Sequence, residues 1–273
     1  MPDALTWLSR RLLTVLDGCG RASVAVLEEV GYVAALLLES VYWAVAGRWL
    51  QQPVRLPAIF AAAMSVGVTA IPIVALASFA VGTMLAIQGI YSLRPYGAET
   101  QVVLGIALSV TREFAPLITG IFVAGRSASA IAARIGTMQV AQEIDALAVI
   151  GINPVRYLVS PLLLAMLVTV PALVVMSNFI ALSGGALYCR LELGMPIAAY
   201  VQGTIDALTP GDIWQGLTKS VVFAAIVTLV GASNGFSVTA GAEGVGKATT
   251  RSVVISIASI ILADMIFSYF QSR

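Results

Sequence analysis

The sequence predicts an all-α membrane protein, in which an N-terminal interfacial amphipathic helix precedes five transmembrane helices and a short helix joins the second to the third. Three observations predict this. Of the 273 residues, 59% are hydrophobic and 11% charged, whereas soluble domains carry roughly 25% charged residues. Five apolar windows come close to the ~20 residues a bilayer requires. The basic residues gather in alternate loops between those windows.

The first 55 residues form one unit. Leu5, Leu8, Leu12, Leu13, Val15 and Leu16 recur at helical spacing among Arg10, Arg11 and Asp17, a pattern suited to a membrane surface. Residues 31–46 are apolar enough for a sixth span, but the stretch is short and Glu39 sits centrally, which favours an interfacial elbow. Residues 56–273 form the transmembrane unit, with spans at about 64–88, 101–125, 157–182, 214–238 and 252–270. Pro72 falls within the first, Pro161 near the start of the third and Pro171 inside it.

Arg126, Arg134 and Arg156 lie between spans two and three, Lys247 and Arg251 between spans four and five, and Arg10, Arg11, Arg21, Arg48 and Arg55 before span one. The opposite side has only Arg94, Arg190 and Arg273. The positive-inside rule then places the N-terminus in the cytoplasm and the C-terminus outside.

Composition excludes several chemistries. With no histidine, there is no histidine-based triad, HExxH site or ordinary zinc site. Cys19 and Cys189 lie far apart and show no CxxC spacing, so neither a disulfide framework nor thiol chemistry is expected. A net charge of +1 without basic clusters gives no footprint for nucleic acid. Residues 1–20 lack the uninterrupted apolar core of a cleavable signal peptide.

Charges inside the spans are the candidate functional residues, because each costs roughly 2.5–3.5 kcal/mol on insertion scales. Arg112 and Glu113 are sequence neighbours in span two and point about 100° apart on a helix, so each needs its own partner or a polar cavity. Counting along the chain places no third charge at their depth. Lys219 and Asp264 fall at matched depth in spans four and five, which predicts a structural ion pair.

Span two continues with small residues every fourth position: Gly120, Ala124, Ala128, Ala132 and Gly136, beside a second row of Gly125, Ser129 and Ala133. Close helix packing within the chain is the simpler reading of such rows, and a dimer seam the alternative. Residues 138–150 then read as one short amphipathic helix, with Val140, Ile144, Leu147 and Ala148 on one face and Gln142, Glu143 and Asp145 offering polar groups. Gly151 and Asn153-Pro154 stop it.

Arg112-Glu-Phe-Ala-Pro-Leu117, Ala124-Gly-Arg-Ser-Ala-Ser-Ala-Ile131, Gln142-Glu-Ile-Asp-Ala-Leu147, Gly151-Ile-Asn-Pro154, Asn234-Gly-Phe and Lys247-Ala-Thr-Thr-Arg-Ser-Val-Val254 occur in that order. Together they resemble the MlaE/YrbE permeases of ABC-type phospholipid transporters, over roughly residue 56 to the end. The resemblance implies a homodimeric inner-membrane permease that carries no cofactor itself. ATP would be used by a cytoplasmic ABC ATPase dimer, often with a STAS-domain subunit, and an MCE-domain hexamer would dock on the periplasmic side. The implied cargo is phospholipid, moved between the inner membrane and the periplasmic carrier to maintain outer-membrane asymmetry. Residue by residue, the stretch 139–150 resembles the coupling helix, with Gln139, Gln142, Glu143, Asp145 and Leu147 toward the ATPase. Glu113 resembles the acidic residue of a dimer-centre lipid pocket, with Arg112 beside it and Leu85, Leu93 and Tyr96 on its wall. Ser92 stands where the family pattern has an apolar residue, which makes that wall more polar.

Two other classes compete. An ion-gradient-driven secondary transporter would also use proline-interrupted spans and buried charges, but the halves show no inverted repeat. An intramembrane enzyme has no histidine and no evident Asp–Asp pair to work with. Gly241-Ala-Glu-Gly-Val-Gly-Lys247 has the spacing of a phosphate-binding loop, yet Ala248 replaces the magnesium-binding Ser or Thr. A glycine-rich loop between spans is expected there, so ATP hydrolysis falls to another chain.

Overall fold

The computed structural model describes residues 2–47, 54–239 and 241–271. All regular structure among them is helical: α1 (Pro2–Ala46), α2 (Leu56–Tyr96), α3 (Glu99–Val140), α4 (Glu143–Val149), α5 (Val155–Leu193), α6 (Ile197–Ala207), α7 (Pro210–Phe236) and α8 (Gly241–Gln271). Six of them, α1 within Leu27–Ala46 and all of α2, α3, α5, α7 and α8, are long and apolar enough to cross a membrane. The chain is a multi-pass membrane protein.

The helices outrun the apolar windows, because hydropathy marks what lipid covers while a helix continues to its stop signal. Left-handed Gly97 and Gly194 supply such stops after α2 and α5. The stretch Gly241–Lys247, expected as a loop, forms the first turns of α8, where Glu243 and Lys247 pair at 2.7 Å. Residues 138–150 are likewise not one helix. α3 ends at Val140, Gln142 takes a left-handed φ of 59°, and α4 starts anew at Glu143. This re-aims α4, burying Ile144 while Val140 and Ala148 stay exposed. Gly151 (φ 79°) closes it as expected, the Ile152 N–H donating to the Leu147 carbonyl at 2.9 Å.

Four widened, π-type turns mark the long helices: Met64–Val68 interrupts α2, Val110–Phe114 and Ala124–Ala128 interrupt α3, and Val155–Val159 opens α5. Three end two to four residues before Pro72, Pro116 and Pro161. Each proline lacks the N–H that the carbonyl four residues back would accept, and the ladder widens to accommodate the loss.

The bundle packs in three apolar layers. A central one joins Val74, Val123, Met166, Val170, Phe223 and Ile260. One toward α6 joins Ala86, Ile106, Val110, Ala115 and Tyr200. One toward α4 joins Leu36, Ile135, Ile144, Val159 and Leu229. Glycine makes the tightest contact, between α2 and α5: a Cβ on Gly82 would lie 1.8 Å from the Ala181 carbonyl oxygen. Ser78 and Ser177 share a hydrogen bond of 2.7 Å in the same interface. The small row of α3 is also packed within the chain, with Ala124, Ala128 and Ala132 wholly buried and Gly136 against Val238.

α1 is tied to the bundle only near its α4 end, as far as the described contacts go. The Asn153 amide donates to Glu39 at 2.7 Å, Arg251 pairs with Glu29 at 2.8 Å, and Arg156 stacks over Trp43. Glu39 therefore finds its partner at a loop, and the stretch of α1 from Glu29 to Trp43 meets the bundle at that end. The side chains from Leu5 to Asp17, on which the amphipathic pattern rests, are outside the described set, as is Arg48.

Gly82→Val should lower unfolding stability in detergent by about 2 kcal/mol or more, since the clash is with backbone and only helix separation relieves it. An unchanged melting temperature would contradict this packing.

Candidate functional site

The site begins with the register of two helices. α6 packs beside the first turns of α3, with Gly203 against Val103 and Tyr200 in the same layer as Ile106. α7 therefore starts part-way along α3. A Cβ on Gly216 would sit 2.4 Å from the Thr111 carbonyl oxygen, so the α7 backbone rests on the π-type turn that holds Arg112 and Glu113. Thr111 lies about 18 Å along α3 and Gly216 only about 9 Å along α7. This offset is what counting spans from their ends misses. It brings Lys219, one turn beyond Gly216, to Glu113.

Lys219 is wholly buried, and its ammonium meets three acceptors. Nζ lies 2.5 Å from Glu113 Oε2, 3.0 Å from Asp264 Oδ1 and 3.2 Å from Ser268 Oγ. Asp264 Oδ1 has no well-aligned hydrogen bond, so that contact is chiefly electrostatic. Ser268 in turn donates to Glu113 at 3.1 Å. The expectation that no third charge shares the depth of Arg112 and Glu113 is thus overturned.

Arg112 turns the other way, as adjacent helical positions do. Its Nε and Nη2 both reach Asp212 Oδ1, at 2.6 and 2.5 Å. Asp212 is buried and serves twice, since its Oδ2 also accepts from the Thr209 N–H and hydroxyl in the capping box that opens α7. Sequence reading missed Asp212 and Ser268. The Thr209-Pro-Gly-Asp212 capping pattern was the available signal for the first, whereas nothing local marks Ser268.

Three carboxylates and two cations leave one formal negative charge in excess within an apolar layer. Glu113 is its natural seat: its side chain is 37% exposed, against 15% for Asp264 and 4% for Asp212. The arrangement holds a carboxylate rigidly at the flank of the bundle, half open to whatever lies there.

The other expected site residues separate into two groups. Leu85 and Leu93 pack on the α6-side layer with Val110 and Ala115, across α3 from the face Glu113 uses, while Ser92 and Tyr96 are exposed. Of the stretch toward α4, Gln142, Glu143 and Asp145 are exposed, and Gln139 and Leu147 are half-buried. Val149 and Ile150, at 86% and 68% exposure, add an apolar tip.

The family model for the permease MlaE matches residues 59–270. The chain belongs to the MlaE permease family. It is 32% identical over 257 residues to a probable ABC transporter permease protein of Rickettsia felis, covering 94% of this chain and 97% of that one. It is 34% identical over 219 residues to one from Rickettsia prowazekii, covering 80% and 85%. Against the chloroplastic protein TRIGALACTOSYLDIACYLGLYCEROL 1 of Arabidopsis thaliana it is 37% identical over 195 residues, covering 71% of this chain and 56% of the relative. As an MlaE-family permease the chain is a membrane transport subunit, and the charged cluster lies inside its matched region.

Lys219→Met should cost about 3–5 kcal/mol, because it leaves Glu113 and the mostly buried Asp264 facing one another without their shared cation. Adding Asp264→Leu should recover part of that loss in chemical unfolding of the detergent-solubilised protein. Additive losses would contradict direct coupling.

Proposed function

We propose that this protein is the membrane subunit of an ATP-driven ABC transporter that moves phospholipid between the inner membrane and a periplasmic carrier. The observation that carries the reading is α4. A seven-residue helix stands on a turn strained at Gln142, anchored by buried Ile144 with half-buried Leu147, and offers Glu143, Asp145, Val149 and Ile150 outward. Carboxylates beside an exposed apolar tip suit a protein partner better than lipid or water alone. The partner is a cytoplasmic ABC ATPase dimer, which supplies the nucleotide chemistry. The Rickettsia relatives, named as ABC transporter permeases over nearly their whole length, support this assignment.

Orientation follows from charge. Arg126, Arg134, Arg156, Lys247 and Arg251 cluster toward the α4 end, which faces the cytoplasm under the positive-inside rule. The α6 end and the C-terminus then face the periplasm, where an MCE-domain hexamer docks. A STAS-domain subunit accompanies the ATPase. Two copies of the chain pair so that Glu113 and the exposed ends of α2 around Ser92 and Tyr96 line a shared lipid cavity. Support for a lipid cargo comes from the half-open Glu113 in an apolar wall, and from the Arabidopsis relative, which is named after a glycerolipid. Maintenance of outer-membrane asymmetry is the physiological role this cargo and carrier imply.

Glu143→Arg and Asp145→Arg place repulsive charge on an exposed surface, so the fold should persist while ATPase copurification falls about tenfold or more, the equivalent of ~1.4 kcal/mol. Unchanged ATPase recovery from native membranes with both variants would sink the coupling role of α4.

A further inference from the structure

A second polar feature lies at the α4 end, away from the Glu113 cluster. There α2, α3 and α5 leave a cleft of about 310 Å³, floored by Ala58, Ala62, Leu158 and Pro161 and flanked by Arg134 and Tyr157. A smaller one of about 170 Å³ shares Ser65, Arg134 and Leu162 with it and adds Arg126 and Ser127. The two make one groove with an apolar floor and a basic, hydroxyl-bearing mouth.

The groove contains donors without acceptors. Ser127 is 2% exposed, and its Oγ has no hydrogen-bond partner among the described residues, although buried hydroxyls are normally bonded. It sits in the π-type turn Ala124–Ala128, beside Arg126. Arg126 commits Nη1 to the Thr69 hydroxyl and the Ser65 carbonyl, which leaves most of its five donors. Arg134 is exposed and makes no ion pair among the described residues. On the far wall Arg55 donates to the Tyr157 hydroxyl at 3.1 Å. Glu143 lines an adjoining opening with Arg134 and Tyr157, and it leaves Arg134 unpaired.

We propose that this groove binds the phosphate of an anionic glycerophospholipid from the leaflet at the α4 end. Arg126, Arg134 and Ser127 hold the headgroup, and an acyl chain runs along Ala58, Ala62 and Leu162. Basic pockets between membrane helices suit anionic headgroups on electrostatic grounds. Free phosphate would use the same donors, but the apolar floor favours a ligand with a chain attached. The site depends only on the protein's crossing a membrane and not on which cargo it transports.

The test is native mass spectrometry of the full chain in detergent, titrated with phosphatidylglycerol or phosphatidylcholine, without ATP or partner subunits. The wild type should retain phosphatidylglycerol in preference. Arg134→Gln should lower that retention about fivefold, the effect of ~1 kcal/mol per surface arginine, and Ser127→Ala should lower it less, with phosphatidylcholine unaffected by either. Arg134 makes no described contact that folding needs, and an unshifted melting temperature confirms that the variant is intact. Phosphatidylglycerol retention unchanged in Arg134→Gln would overturn the proposal. So would complete displacement of the lipid by millimolar inorganic phosphate, which would mark the groove as a site for the soluble ion.

Discussion

The burial of Lys219 is the constraint on which the transmembrane architecture turns. An ammonium with no solvent exposure is tolerable only where acceptors surround it, and here Glu113, Asp264 and Ser268 come from two other helices. That requirement fixes α3, α7 and α8 in mutual register more sharply than apolar packing could, since small-residue surfaces slide past one another at modest cost. The glycine at 216, pressed on the Thr111 carbonyl, sets the distance. The capping box at Thr209 and Asp212 sets where α7 begins, and through Arg112 ties that start to the same turn of α3.

This design turns an expensive feature into a directed one. Each intramembrane charge has a partner, yet the set is unbalanced by one carboxylate, and the least buried member is Glu113. Its position is over-determined from behind by Lys219 and Ser268, so it can meet a polar group at the flank of the bundle without reorganising. At the opposite end, α4 is built on contrary terms, with one buried anchor, a left-handed turn and a large exposed surface. A rigid charged centre and a lightly held surface element suit a machine whose cargo site and drive site lie at different depths.

Much of this was legible in the residues. The all-helical membrane class, the five apolar helices from residue 56 onward, the small-residue packing of α3 and the divergence of Arg112 from Glu113 all follow from hydropathy and helical geometry, whereas residues 27–46, read as an interfacial elbow, form a sixth helix long and apolar enough to cross a membrane. What was not legible came from tertiary offset and local backbone choices. The depth of Lys219 was misjudged because α6 folds against α3 and lets α7 start low. The break at Gln142 has no Gly or Pro to announce it, so 138–150 read as one helix. The glycines from 241 to 246 signal a loop by propensity, but Val245 packing near Gly136 holds them helical. Ser127 gave no sign of lacking a partner, because helical serines ordinarily bond their own backbone.

The central claim is that Glu113 works on the cargo while Lys219 and Asp264 hold the fold. Its most direct test is ATP-driven transfer of labelled phospholipid from liposomes containing the reconstituted transporter, comparing wild type with Glu113→Gln and recording each melting temperature. The account predicts a loss of transfer of about tenfold, the equivalent of ~1.4 kcal/mol, with a stability loss well below that of Lys219→Met, because the amide oxygen still accepts from Lys219 and Asp264 still balances its charge. Wild-type transfer in Glu113→Gln, or a loss of transfer matched by an equal loss of stability, would contradict it.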